Sequence, residues 1–168
     1  MTEEQIDALI FNPQNAVGTS PIRGAAAYQK AACVVCHTFG PIGTQVGPDL
    51  TTVAQRFNRR DIVRSIAYPH EQINPQYEAT TITRTNGQAV TGIITQETGQ
   101  NVILMVAGGA EVNVPVAEIR SRARSEKSLM PDGLLNALSG QERNDLLALL
   151  LAGPAALPDT TVARIRGR

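Results

Sequence analysis

Cys33-Val34-Val35-Cys36-His37 carries residue types at a spacing that points to a definite chemistry. Two thiols three positions apart can add to the two vinyl groups of a haem while the adjacent imidazole meets the iron from one face. Three other readings compete: a redox-active dithiol, a structural disulfide, or part of a zinc site. A dithiol of the thioredoxin kind sits at a strand-to-helix junction, where the helix lowers the thiol pKa, whereas here the helix is expected before the cysteines. Zinc calls for four ligands, and Cys33, Cys36, His37 and His70 are the only Cys and His in the chain, two of the four being adjacent.

Residues further along fit the haem reading. Gly47-Pro48-Asp49-Leu50 follows at a distance where a backbone carbonyl could accept the imidazole N–H of His37, which would fix the ring's tautomer and raise its donor strength. The plainer alternative is an ordinary turn. A sixth iron ligand should come from the far side of the metal, and Met130 in Ser128-Leu129-Met130-Pro131 is the best candidate. Its thioether is a neutral soft donor that favours ferrous iron, and Pro131 pins the loop locally. A methionine is otherwise core filling, and Met105, in an apolar strand, reads that way. His70, in Tyr68-Pro69-His70-Glu71, reads as a loop residue, with bis-histidine ligation as the alternative.

Positioning these groups requires a helix that ends at the cysteines. Thr2 with Gln5 resembles a capping box, and Ile6, Leu9 and Ile10 fall at helical spacing, so a short first helix is expected before Asn12-Pro13. Pro13 to Pro21 reads as linker. A second helix is expected from Ile22 to about Ala32, delivering its C-terminal end into the motif. Glycines and prolines from Thr38 to Asp49 imply a wrapping loop. Helical signals resume at Thr51 to Phe57 and again from the cap Asn58 to Ala67, where Pro69 follows.

After Pro75 the character changes. Tyr77 to Thr85, Gln88 to Thr95, Asn101 to Val106 and Glu111 to Val116 are rich in Thr, Val and Ile, with Asn86-Gly87, Thr98-Gly99 and Gly108-Gly109 between them. Successive antiparallel hairpins in a small β insertion at about 77–116 are therefore expected. Helical patterning returns after Pro131. Ser139 and Glu142 cap a last helix with Leu146, Leu147, Leu149 and Leu150 on its apolar face, and Gly153-Pro154 ends it. The remainder, through Arg164, Arg166 and Arg168, reads as a loosely held tail.

The 168 residues suit one domain with an inserted lobe, and 42% apolar content can build a core. Fifteen basic and 15 acidic residues cancel, so no net field draws the chain to nucleic acid or an anionic membrane. Leu146 to Ala152, the longest apolar stretch, falls far short of the roughly 18 residues of a membrane span. The chain reads as soluble. There is no Trp, and three Phe and three Tyr leave an aromatic-poor core that a bound macrocycle could supplement. Met1-Thr2-Glu3-Glu4-Gln5 does not resemble a secretory signal. Haem attachment at such a motif normally takes place outside the cytoplasm, so a processed chain, or a domain of a larger exported protein, is expected in the periplasm or another exported compartment.

The order Gly24-x-x-x-Tyr28, Cys33-x-x-Cys36-His37, Gly47-Pro48-Asp49-Leu50, Met130-Pro131 and a Leu-rich last helix resembles the class I cytochromes c. More narrowly, roughly Gly24 to Ala152 is similar to the haem-binding domain described in planctomycetes and verrucomicrobia. Three segments carry that likeness: Val46-Gly47-Pro48-Asp49-Leu50-Thr51; Ser65-Ile66-Ala67-Tyr68-Pro69 running on to Ile73-Asn74-Pro75-Gln76-Tyr77; and Ser128-Leu129-Met130-Pro131-Asp132-Gly133-Leu134.

The resemblance implies a mainly α fold, the class I cytochrome c helices around one haem with a small antiparallel β lobe inserted. It divides the chain into an N-terminal helix and linker at 1–21, a cytochrome c domain at 22–153 and a tail at 154–168. It also implies a close crossing of first and last helices involving Gly24, Tyr28 and Leu146 to Leu150. Two departures stand out. The separation of His37 from Met130 exceeds that of a minimal cytochrome c, which the hairpin lobe accounts for, and Leu149 stands where such domains often carry an aromatic.

Function follows as an expectation: one covalently attached haem c, its iron ligated by His37 and Met130, with Cys33, Cys36, Gly47, Pro48 and Pro131 completing the binding residues. Such a protein carries single electrons and needs no catalytic base. The resemblance implies redox partner proteins, a dehydrogenase-type donor and an oxidase-side acceptor. Two rivals stay open. One is a haem enzyme or gas-binding protein with an open or labile sixth position. The other is an interaction module with structural haem, in which the β lobe serves docking or self-association to a homo-oligomer rather than covering the haem edge.

Overall fold

The computed structural model describes residues 1–12 and 17–166. Within the expected linker, residues 13–16 lie outside the described residues, as does Arg168 of the expected tail. The chain divides into two units, one of Met1–Tyr68 with Asp132–Arg168 and one of Pro69–Pro131.

The first unit is helical. Helix α1 (Glu3–Phe11) starts at a capping box in which Thr2 and Gln5 satisfy each other's backbone N–H groups, and α2 (Pro21–Lys30) starts behind Ser20. Two helices follow the motif loop, α3 (Val53–Arg56) and α4 (Arg59–Ala67), the latter capped by Asn58 and Asp61. Helix α5 (Gly140–Ala152) is capped by Ser139 and Glu142. It is the central element, with Leu146, Leu147 and Leu149 fully buried among Tyr28, Phe39 and Val63.

Helix α2 crosses α5 at Gly24. A Cβ there would stand 2.2 Å from the Asp145 carbonyl oxygen and 2.8 Å from Leu149 Cβ, so only glycine permits this approach. Polar ties flank the crossing. Asp145, 2% exposed, accepts from Arg23 Nε at 2.8 Å, Arg23 Nη2 at 2.9 Å and the Ser20 backbone N–H at 2.7 Å. On an outer turn Lys30 pairs with Glu142 at 2.7 Å. Arg59 bridges Leu9 O at 2.8 Å and Asn144 Oδ1 at 3.1 Å, which joins α1 and α4 to α5.

In the stretch read as a tail, Pro154–Ala156 forms a 3-10 turn and Asp159–Arg166 forms helix α6. Leu157 and Ile165 are buried in the core, so apolar burial orders a segment whose prolines and arginines look like loose chain.

The second unit is a five-stranded antiparallel sheet: β1 (Thr80–Arg84), β2 (Ala89–Glu97), β3 (Asn101–Met105), β4 (Glu111–Pro115) and β5 (Ile119–Arg124), in the order β4-β3-β2-β1-β5. Ile82, Val102, Leu104 and Val114, all fully buried, form its own core. Bulges between Thr83 and Arg84 and between Ile94 and Gln96 bend the strands.

This architecture overturns the mainly α class I cytochrome c fold expected from the sequence. The chain is 42% helix and 20% strand, with a five-stranded antiparallel sheet, and is an α/β fold. The reason lies in the Thr, Val and Ile content of 80–124, which supplies a self-contained sheet with a separate core rather than an ornament on a helical domain.

Candidate functional site

The motif begins where α2 ends. Ala32 takes the left-handed conformation at φ +58°, the only non-glycine among the described residues to do so. This turn breaks the helix and starts the 3-10 segment Cys33–Val35. His37 N then donates to Cys33 O at 2.8 Å, which places both thiols and the imidazole on one tight loop.

The following residues fold back over it. Val46 N and Gly47 N both donate to Cys36 O, at 3.0 and 2.7 Å, and Leu50 N donates to Thr38 O at 2.8 Å. Thr38 Oγ1 donates to Thr44 O at 3.1 Å, and Gly40 N to Thr51 Oγ1 at 2.8 Å. The wrapping loop is thus closed by its own backbone, with Phe39 and Ile42 as buried anchors.

His37 is held from three sides. Its Nδ1 lies 2.7 Å from Pro48 O, and since a carbonyl only accepts, Nδ1 carries the proton and Nε2 is the ring's lone-pair nitrogen. Gly47 lies against the ring face, where a Cβ would come within 2.8 Å of Cε1. The carbonyl oxygen of His37 accepts from the buried Tyr28 hydroxyl at 2.8 Å, and a Cβ on Gly43 would collide with that same oxygen at 1.9 Å. Burial lowers the imidazole's pKa, outweighing the opposing pull of Pro48 O, and so favours the neutral ring that can ligate a metal.

The thiols differ in surroundings. Cys33 is 9% exposed and Cys36 half-buried, and both are free. Burial first, with the neighbouring Cys36 adding to it, pushes the Cys33 thiol up to about 12. A redox dithiol needs the reverse, an easily formed thiolate, which counts against the thioredoxin-like reading. Among the described residues no three His, Cys, Asp or Glu side chains group as metal ligands, so Cys33, Cys36 and His37 do not converge on one ion as a zinc set would.

The donor set does fit a covalently held haem. Two thiols and one imidazole with its outer nitrogen already bonded sit within five residues, and the ring-facing position is a glycine. The helical unit also has a hollow of about 170 Å³ lined by Met1, Ile6, Ile66, Tyr68 and Leu135 among others, and none of the motif residues borders it.

Of the residues singled out in the sequence, Cys33, Cys36, His37, Gly47 and Pro48 come together in the helical unit. Met130 and Pro131 belong to the sheet-bearing unit, at its end. There Met130, half-buried, donates its backbone N–H to Ser128 Oγ at 3.1 Å, and Pro131 is exposed. Sequence reasoning missed the hydroxyl contact of Tyr28 and the role of Gly43. Both act on a backbone carbonyl, which no side-chain spacing marks, although the glycine-rich loop was a partial sign.

No protein-family model matches the chain, and no curated protein matches it. The functional reading therefore rests on the motif and its geometry. No helix among the described residues is long and apolar enough to cross a membrane.

Proposed function

We propose that this chain is a monohaem c-type cytochrome that transfers single electrons between redox partner proteins. The observation that carries the reading is the bond from His37 Nδ1 to Pro48 O at 2.7 Å, within the Cys33-x-x-Cys36-His37 loop. It orients the imidazole, fixes its tautomer and leaves Nε2 as the lone-pair nitrogen that would ligate a haem iron.

Cys33 and Cys36 would hold the group through thioethers. Each S–H adds across a vinyl double bond, sulfur to one carbon and hydrogen to the other, so attachment consumes no oxidant. His37 would ligate the iron, and Met130, whose backbone Pro131 restricts, is the second ligand proposed. When bound, haem c supplies a one-electron ferric/ferrous couple. The protein's task is then to keep the ligands in place in both states. Tyr28 and Gly47 serve that end by restricting the His37 backbone and ring. The reading is of a carrier rather than an enzyme. A dehydrogenase-type donor and an oxidase-side acceptor, in the periplasm or another exported compartment, complete the proposal.

The test is the visible spectrum and intact mass of protein produced with a haem-attachment system. A haem c spectrum and a mass raised by one haem are expected, both lost in a Cys33→Ser, Cys36→Ser double variant. Met130→Ala should remove the methionine–iron charge-transfer band and lower the potential. Colourless protein with the mass of the bare polypeptide would overturn the proposal.

A further inference from the structure

His70 is the second of the chain's two histidines, and the motif makes no use of it. It is half-buried in the loop that opens the sheet-bearing unit. The backbone N–H of Ser128, 58 positions away, donates to His70 Nδ1 at 3.1 Å. A backbone N–H can only donate, so Nδ1 carries a lone pair and the neutral ring's proton is on Nε2. From Ser128 the contact passes on. Its Oγ accepts the N–H of Met130 at 3.1 Å.

The same segment is tied at its other end, where Ser125 N donates to Ala79 O at 2.8 Å and Ser125 Oγ bridges the backbone of Lys127 at 2.9 and 3.1 Å. Pro131 then restricts Met130 to extended backbone. Residues 125–131 are held by contacts within their own unit, and His70 is a side chain outside the segment that holds Ser128.

We infer that His70 is a positioning residue for Met130, acting through the backbone and hydroxyl of Ser128; the inference rests on the reading of Met130 as the sixth ligand. The imidazole braces the methionine loop and thereby raises the fraction of molecules in which the thioether is correctly placed. Order imposed in advance lowers the entropic cost of ligation. His70 thus supports the ligand loop, and the bis-histidine alternative would require giving up this bond or using the ring's other nitrogen.

The experiment compares His70→Phe, which keeps a ring and removes the acceptor, with His70→Asn, whose amide oxygen can stand where Nδ1 stands. Ser128→Ala is a second probe that keeps the backbone N–H on His70 but removes the acceptor for Met130. The readouts are amide hydrogen exchange at Ser128 and Met130 and the rate at which carbon monoxide binds the ferrous protein. One neutral hydrogen bond corresponds to roughly a fivefold population change, so His70→Phe should speed both exchange and carbon monoxide binding by about that factor. His70→Asn should restore them, and Ser128→Ala should act in the same direction as His70→Phe.

Unchanged exchange in His70→Phe overturns the inference. So does unchanged carbon monoxide binding in His70→Phe when Met130→Ala speeds it, and in that case the ligand assignment stands. If Met130→Ala leaves the spectrum unaltered, the ligand assignment fails and takes the inference with it, even where exchange at Ser128 responds.

Discussion

The imidazole of His37 lies flat on Gly47: a Cβ at position 47 would stand 2.8 Å from Cε1, 3.1 Å from Nδ1 and 3.3 Å from Nε2. The backbone of Gly47 has no positive φ, so steric contact alone demands glycine here. Gly47→Ala should push the ring by a few tenths of an ångström and strain its bond to Pro48 O. A cost of about 1 to 3 kcal/mol is expected, as for other overpacked sites. Thermal melts measure the loss, and the NMR signal of the His37 Nδ1 proton reports whether the bond survives.

Gly24→Ala should be worse. The added Cβ meets the Asp145 carbonyl at 2.2 Å, and a main-chain oxygen of a capped, buried helix cannot rotate aside. The α2 and α5 axes must part, opening the core around Tyr28 and Leu149, and a loss of about 3 kcal/mol or more is expected. Denaturant titration with an unchanged slope would show a pure stability effect; a native-like midpoint would refute the packing account.

Acid should weaken the helical unit, and two of the carboxylates involved tie α5 to α2. Burial raises the pKa of Asp145, but Arg23, the Ser20 N–H and Gln141 outweigh it, and the folded value is depressed. Lys30 and the Ser139 backbone bring Glu142 down to about 2. A carboxylate with a depressed folded pKa stabilises the fold above its unfolded value and loses that contribution as pH falls through the folded one. Stability should therefore decline from the ordinary carboxylate values, 3.8 for Asp and 4.5 for Glu, down toward about 2. Arg23→Met removes the largest of the groups that offset burial of Asp145 and should move the acid unfolding midpoint to higher pH, as followed by circular dichroism.

Ala32→Gly should stabilise. An alanine in the left-handed region costs about 1 to 2 kcal/mol, and the extra freedom of glycine in the unfolded chain offsets about 0.4 to 1 kcal/mol of that. A net gain of about 1 kcal/mol is expected, seen as a higher melting temperature. A lower one would mean that the Ala32 methyl has a packing role.

Local signals in the chain were informative where side chains bond their own backbone. Thr2 with Gln5 and Ser139 with Glu142 read as capping boxes and form them, Asn58 reads as a cap and is one, and Asn86-Gly87 separates two strands of a hairpin. Strand β5 was not legible. Ile119-Arg120-Ser121-Arg122-Ala123-Arg124 alternates arginine with Ile119, Ser121 and Ala123, too weak an apolar pattern to stand out, and it pairs along the open edge of β1, where Arg122 and Arg124 reach Glu97 and Glu78 at 2.6 and 2.5 Å. Helix α6 was hidden for a related reason, since Leu157 and Ile165 gain meaning only once the core they enter exists. At the candidate site, spacing alone identified Cys33, Cys36, His37 and the Gly47-Pro48 turn. The hydroxyl of Tyr28 could not be read in the same way, because its partner is the main-chain oxygen of His37.

The hydrogen bonds that shape the Cys33 to Leu50 loop join residues close together along the chain, and Tyr28 is only nine positions from the carbonyl it holds. Contacts this local form quickly and early. The thiols and imidazole are therefore held by contacts that lie between Tyr28 and Thr51, a stretch complete in the growing chain before the sheet and the last helix are made.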